Sequence, residues 1–152
     1  MIKMPEEKYI PWWILTVAVV MAFTLPVLVQ DAMFQDGVLY SCVSHNMAIG
    51  VGSFWFPQYS TLNIAGISSF HEQPPLVFGI QALFYKILGD SIYVERFYTL
   101  LTLIAHVILI NVLWKLNFNK TEEQKHLGWM AVIFWILIPV CWWSFHNNLM
   151  EN

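Results

Sequence analysis

The chain has 152 residues, of which 58% are hydrophobic and 11% charged, with eight tryptophans and a formal net charge of −3. Soluble domains carry roughly 25% charged residues, so this chain lacks the polar side chains to cover a surface in water, and we expect a membrane protein. The small net charge without a basic stripe argues against nucleic acid as a partner. The two cysteines, Cys42 and Cys141, are too few for a disulfide framework.

Three segments are predicted to span the bilayer, since about 20 apolar residues cross its hydrocarbon core. The first, residues 10–30, is uncharged, is too long for a signal-peptide core and lacks a small-x-small cleavage site, so we interpret it as a retained anchor. The second is residues 97–116 and the third is residues 127–145. Pro26 and Pro139 lie inside predicted spans, where neighbouring helices can satisfy the freed backbone groups.

A long loop, residues 31–96, joins the first two spans. Within it a helix is predicted to begin at Asp36, because Asp is a favourable N-cap and apolar residues follow at helical spacing. The aromatic run at 54–59 is typical of a membrane-surface anchor. A second helix, Leu76–Leu88, is opened by two prolines and closed at Gly89. It has about 13 residues, which is short for a crossing and typical of an interfacial or re-entrant helix.

The lysines distinguish the two topologies that this short helix allows. If it does not cross, Lys3 and Lys8 share a side with the lysines at 115–125, and the loop on the other side carries only Lys86. If it crosses, this asymmetry is lost. The positive-inside rule therefore favours three spans, with the amino terminus cytoplasmic and the loop on the external, periplasmic face of the inner (plasma) membrane. The predicted fold is an all-α integral membrane protein with juxtamembrane helices in one long external loop.

Several motifs occur in order along this predicted topology. The chain resembles the amino-terminal part of a GT-C superfamily glycosyltransferase, with the pattern of the protein O-mannosyltransferases and aminoarabinose transferases, over nearly all of residues 1–152. The motifs that carry the resemblance are Asp-Gly-x-x-Tyr at 36–40, Phe-Trp-x-Pro at 54–57, Glu-x-Pro-Pro-Leu at 72–76, Leu-Gly-Asp at 88–90 and Arg96 entering the next span.

The resemblance implies an enzyme that moves a sugar from a polyprenyl-phosphate donor to a hydroxyl of a lipid, glycan or protein acceptor on the external face. It implies three acidic site residues: Asp36, Glu72, and Glu151 in the second external loop. In many relatives Glu follows the first of these, whereas here Gly37 does. Asp36 is the candidate base that takes the proton of the acceptor hydroxyl. Without the other motifs, Asp36 is interpreted equally well as a helix cap.

Two further roles are open. Arg96 is a candidate for binding the donor phosphate, because guanidinium suits phosphate geometry; it is read equally well as an interfacial residue that sets topology. Some relatives hold a divalent metal near Glu-x-Pro-Pro, which implies Glu72 and neighbouring His71 as candidate ligands, with further ligands beyond Asn152; His71 is alternatively a polar neighbour of Glu72.

Two other classes compete with the enzyme. One is a truncated or accessory membrane protein that binds polyprenyl lipid or a partner subunit without transferring sugar. Since relatives continue for many more spans, we expect the chain alone to be inactive. The other is a transporter, which is disfavoured because the polar residues cluster in loops rather than at mid-membrane.

Overall fold

The computed structural model describes residues 7–30, 33–60, 62 and 69–148. Over these ranges all regular structure is helical, and other backbone pairing is limited to isolated bridges between Gly52 and Pro57 and between Gln58 and Ser69. After a short 3₁₀ turn at Glu7–Tyr9, the α-helices are α1 (Ile10–Leu28), α2 (Gln35–Ala48), α3 (Pro75–Leu88), α4 (Tyr93–Asn117), α5 (Glu122–Lys125), α6 (Gly128–Ile136) and α7 (Pro139–His146).

The two long helices are consistent with the predicted membrane character. Helix α1 with its preceding turn, Glu7–Leu28, and helix α4 are each long and apolar enough to cross a membrane. The two lie where the first two spans were predicted. Helix α4 begins at Tyr93, four residues before the predicted start, so it includes Glu95 and Arg96.

The third predicted span, residues 127–145, is not one helix. The segment Glu122–Ile136 and helix α7 meet at an angle of 82° and qualify as a span only when they are counted together. The break lies just before Pro139, which has no N–H to donate and whose ring crowds the carbonyl of Trp135. That carbonyl instead accepts from the backbone N–H of Ile138 at 3.2 Å. The predicted span therefore consists of two helices joined at a bend, and its crossing of the membrane stays a prediction.

The chain forms two compact units, one of residues 1–29 with 102–143 and one of residues 30–101 with 144–152. In the first unit, α1 packs on α6. Tyr9 stacks on His126 with ring centroids 4.8 Å apart, and Trp12 stacks on Trp129 at 4.9 Å. Buried residues recur along α1 at four-residue spacing, as one helix face against a neighbour requires; they are Thr16, Val20, Thr24 and Leu28.

The second unit is built on α2 and α3, which pack side by side. Its core contains Tyr40 and Val43 of α2, Phe78 of α3 and Phe70 from the preceding loop. Both helices therefore turn one face inward.

Both loop helices predicted from the sequence are present. Helix α3 has Pro74 as its N-cap, Pro75 at its first position and Gly89 just after its end with φ +86°, as predicted. Helix α2 begins at Gln35 with Phe34 as its N-cap, and no side chain caps it. Asp36 is therefore in the first turn and does not cap the helix, so that part of the prediction is wrong.

Candidate functional site

The start of α2 is held by the residues that follow α7. The backbone N–H of Phe34 donates to Asn147 Oδ1 at 2.7 Å. Asn148 Nδ2 donates to the carbonyl of Gly37 at 3.3 Å, and Asn148 Oδ1 accepts from Gln81 Nε2 of α3. The Asn148 side chain is buried, with 3% exposed. Segments far apart in sequence thus meet at the helix turn that carries Asp36.

Gly37 makes this close approach possible. A Cβ atom on Gly37 would overlap the backbone carbonyl of Asn147 and press on the side chain of Met33. Asn148 takes the left-handed conformation, with φ +52°, which turns the chain at this contact. A larger residue at 37 cannot fit against Asn147. This is a physical reason for glycine at position 37.

Asp36 is exposed in the first turn of α2. The unpaired N–H groups of a helix amino terminus favour a negative charge nearby. The carboxylate lies one residue before the Gly37–Asn147 contact. Asp36 is therefore accessible, on a helix turn, beside the Asn147–Asn148 segment. Glu151 itself lies outside the described residues, so its predicted approach to Asp36 stays a prediction.

Glu72 and His71 border a second part of the same unit. The backbone N–H of Phe70 donates to the carbonyl of Pro57 at 2.7 Å, which aligns the two chain segments. Consequently Tyr59 Oη reaches Glu72 Oε1 and donates to it at 2.8 Å. This hydrogen bond raises the pKa of the Tyr59 hydroxyl above its ordinary value. The ring of His71 meets the edge of Phe56, with centroids 6.1 Å apart.

A cavity of about 420 Å³ lies at this block. It is lined by Trp55, Pro57, Phe70, His71, Glu72, Gln73, Pro74 and Pro75. In the described part of the chain, no three His, Cys, Asp or Glu side chains come together in a way that could hold a metal ion. The role of His71 and Glu72 as metal ligands stays a prediction.

Arg96 is buried near the start of α4, with 8% exposed. Its Nη2 donates to the carbonyl of Gln30, just beyond α1, at 3.0 Å. Its neighbour Glu95 accepts from Tyr85 Oη at 3.1 Å. Arg96 thus ties Gln30, in the segment after α1, to the start of α4. Its phosphate-binding role stays a prediction.

One cavity of this unit was not predicted. It measures about 380 Å³ and contains a hydrogen-bonded chain in which Ser41 Oγ contacts Tyr85 Oη and Tyr85 contacts Glu95. Burial raises the pKa of the Tyr85 hydroxyl. His45 Nε2 lies 3.4 Å from Asp90 Oδ1 at the same cavity.

The sequence held a partial signal for this cavity. Ser41 and His45 are four residues apart and so share one helix face. Their partners Tyr85, Asp90 and Glu95 lie about 40 or more residues further along the chain, and helical spacing does not predict contacts between separate helices. Asp36 and His45 are nine residues apart, which is about half a turn around α2 at roughly 100° per residue. Asp36 therefore points away from this cavity.

Comparison of the chain with protein-family models, with curated protein sequences and with solved structures finds no match.

Proposed function

We propose that this chain is part of a membrane glycosyltransferase that moves a sugar from a polyprenyl-phosphate donor to an acceptor hydroxyl. The observation that carries the proposal is the docking of Asn147 and Asn148 onto the start of α2. The GT-C resemblance assigns the site to two loops, one with Asp36 and Glu72 and one with Glu151. The contact supports their convergence, because it joins the start of the second loop to the helix turn of Asp36.

The proposal requires three crossings, and contacts at each end of α1 support them. If α1 crosses, Lys8 and Gln30 are on opposite sides. Lys8 Nζ contacts Glu123 at 3.4 Å and Tyr9 stacks on His126, so the turn after α4 shares the side of the α1 start. Arg96 binds Gln30, so the start of α4 shares the other side. Helix α4 then crosses back.

The third crossing follows in the same way. Asn147 binds Phe34 beyond the end of α1, whereas His126 stacks on Tyr9 at its start. The chain between residues 126 and 147 therefore has to cross, and α6 with α7 is the bent segment that would do so.

The same contacts support a surface position for α3. Phe34 and Arg96 share one side, so the chain between them crosses an even number of times, and α3 cannot cross alone. With 14 residues, α3 spans only about 21 Å at 1.5 Å per residue, less than the roughly 30 Å of hydrocarbon. The lysines at 8 and 115–125 then mark the cytoplasmic side, and the loop is external.

In the proposed reaction, Asp36 acts as the general base. Its carboxylate takes the proton of the acceptor hydroxyl as that oxygen forms a bond to the anomeric carbon. The bond between the anomeric carbon and the phosphate oxygen breaks, and polyprenyl phosphate leaves with the electron pair. Glu72 and Glu151 are proposed to complete the acidic site, and Arg96 to offset the charge of the leaving phosphate.

The test is Asp36→Asn in the complete enzyme, assayed for transfer of radiolabelled sugar from polyprenyl-phosphate donors in membranes. Loss of a general base costs about 10²–10⁴-fold in rate, so we expect transfer to fall by that factor while membrane insertion is unchanged. Glu122→Gln is the matched control, since Glu122 is an exposed carboxylate that pairs with Lys125 in the turn after α4. Activity of Asp36→Asn within a few-fold of the parent would refute the base assignment. Absence of transfer from every polyprenyl donor would favour the accessory protein instead.

A further inference from the structure

The cavity of about 380 Å³ that contains Tyr85 lies within the second unit and has no role in the proposed reaction. It is lined mainly by residues of α2, α3, the loop after α3 and the start of α4. Asp36 is about half a turn around α2 from His45 of this cavity, at roughly 100° per residue. Cavities of this size with a few convergent polar groups are typical of small-molecule sites. The chemistry of the lining indicates which molecule fits.

One wall of the cavity is a chain of hydrogen bonds in which each proton is already used. Tyr85 Oη donates its only proton to Glu95 Oε2 at 3.1 Å. Burial raises the pKa of the Tyr85 hydroxyl, so this proton is retained at neutral pH. The Ser41 hydroxyl contacts Tyr85 Oη and therefore donates to it. Ser41 Oγ and the Glu95 carboxylate keep lone pairs but no protons, so this wall accepts hydrogen bonds from a ligand and donates none.

Asn46 and Asp90 extend the acceptor character of the lining. Asn46 Nδ2 donates to the carbonyls of Gln58 and Tyr59, each at 3.1 Å, so its amide protons are used and its Oδ1 remains. Asp90 is an exposed carboxylate 3.4 Å from His45 Nε2, and it would balance the charge of a protonated His45. Among the described residues that line the cavity there is no Lys or Arg. The lining therefore does not suit a phosphate or another anion.

Glu95 supplies a negative charge at a buried point of the cavity, since the residue is 6% exposed. Burial removes the water that would solvate a carboxylate, so a cation beside it is stabilising. Arg96, the next residue, is not part of the lining and donates to the carbonyl of Gln30. Apolar side chains border the same space; they are Met33, Val38 and Ile92. The lining therefore suits a cation that donates hydrogen bonds and carries an apolar portion.

We propose that this cavity binds an organic ammonium ion that has N–H groups, with its nitrogen held by Ser41 Oγ and the Glu95 carboxylate. Both groups contact the same oxygen of Tyr85, so one nitrogen can reach both. Two sources supply such an ion: the headgroup of a phosphatidylethanolamine lipid, or a soluble alkylamine. A quaternary ammonium has the same charge but no N–H, which makes it the matched control ligand. The inference is independent of sugar transfer.

The experiment uses Cys42, an exposed thiol at the cavity, as the reporter, and Cys141 of the other unit as the reference. The full chain in phosphatidylcholine nanodiscs reacts with N-ethylmaleimide, and mass spectrometry gives the alkylation rate of each thiol. One arm uses nanodiscs that also contain phosphatidylethanolamine with the same acyl chains. The other adds butylammonium chloride, with butyltrimethylammonium chloride as its control. Alkylation of Cys42 should slow several-fold, in the first arm alone for a lipid ligand and in the second for a soluble amine, while Cys141 is unaffected.

Substitutions of single carboxylates test the assignment of the binding groups. Glu95→Gln removes the charge but keeps a side-chain oxygen, and it should abolish the protection. Glu122→Gln changes an exposed carboxylate of the other unit and should leave the protection unchanged. An unaltered alkylation rate at Cys141 shows that a variant is folded. If Glu95→Gln fails this check, Asp90→Asn at its exposed position takes its place and should weaken the protection.

Three outcomes would overturn the inference. The first is an unchanged alkylation rate of Cys42 in both arms. The second is equal slowing by butyltrimethylammonium, which would mean that N–H groups are not recognised. The third is protection that survives the substitution of Glu95, or of Asp90 where that variant replaces it.

Discussion

At the scale of single residues, the contact between Gly37 and Asn147 is the feature on which the candidate site depends. The absence of one Cβ atom lets the carbonyl of Asn147 approach the first turn of α2. Asn148 then bonds the carbonyl of Gly37 from a buried position. The sequence shows only that a glycine follows Asp36. The reason lies more than 100 residues away and follows from no local pattern.

Gly37→Ala should destabilise the protein. Within a helix this change is normally stabilising, by about 1 kcal/mol. Here the added methyl group overlaps Asn147, and overpacking typically costs about 1–3 kcal/mol, so the unfolding free energy should fall. Thermal unfolding followed by tryptophan fluorescence in detergent micelles measures the change. Val38→Ala, at the next and exposed position, is the control and should change stability by no more than about 0.5 kcal/mol. A Gly37→Ala protein more stable than the parent would contradict the contact.

The residue-level predictions succeeded where the signal was local. A helix does begin near Asp36, although Asp36 does not cap it, and the two prolines and Gly89 do bound α3. The bond from Tyr59 to Glu72 was not predicted, because it depends on pairing between two loop segments. Position along the sequence does not encode such a pairing.

At the scale of elements, the second and third predicted spans differ from the observed helices, and a physical reason can be given for each difference. Helix α4 begins before Glu95 and Arg96 because Tyr85 and the carbonyl of Gln30 satisfy those side chains. A prediction from composition places the limit of the span at these two charges, because composition does not reveal which groups their side chains contact. The break between α6 and α7 was also missed, although Pro139 lies at it. Pro26, by contrast, is accommodated inside α1.

Pro139→Ala should straighten the bent pair. The substitution restores an N–H that can donate to Trp135 and removes the ring that crowds that carbonyl. In one straight helix, residues 131 and 141 would be about 15 Å apart at 1.5 Å per residue, and the 82° bend shortens that distance. Spin labels at Ala131→Cys and native Cys141, with Cys42→Ser, should therefore show weaker dipolar broadening in Pro139→Ala.

The control for this change is Pro26→Ala, which alters a proline inside a helix that already continues through it. It should leave the broadening between residues 131 and 141 unchanged. Equal broadening in the Pro139→Ala protein and its parent would mean that surrounding packing, rather than the proline, sets the bend.

At the scale of the whole molecule, the proposed topology brings the candidate acids to one side of the membrane. It depends on contacts made at the two ends of α1, by Lys8 and Tyr9 at one end and by Gln30 and Phe34 at the other. The lysine distribution alone predicted the same arrangement. Hydropathy could identify the spans, but it could not reveal which helix ends share partners.

The most direct test of this arrangement is labelling of single cysteines with a membrane-impermeant maleimide in intact cells, in a Cys42→Ser, Cys141→Ser background. Ser60→Cys and Ile92→Cys flank α3, and Lys120→Cys lies in the turn after α4. The three-crossing account predicts that positions 60 and 92 are both labelled from outside, and position 120 only after permeabilisation. Labelling of position 92 only after permeabilisation, with position 60 labelled from outside, would show that α3 crosses and would contradict the account.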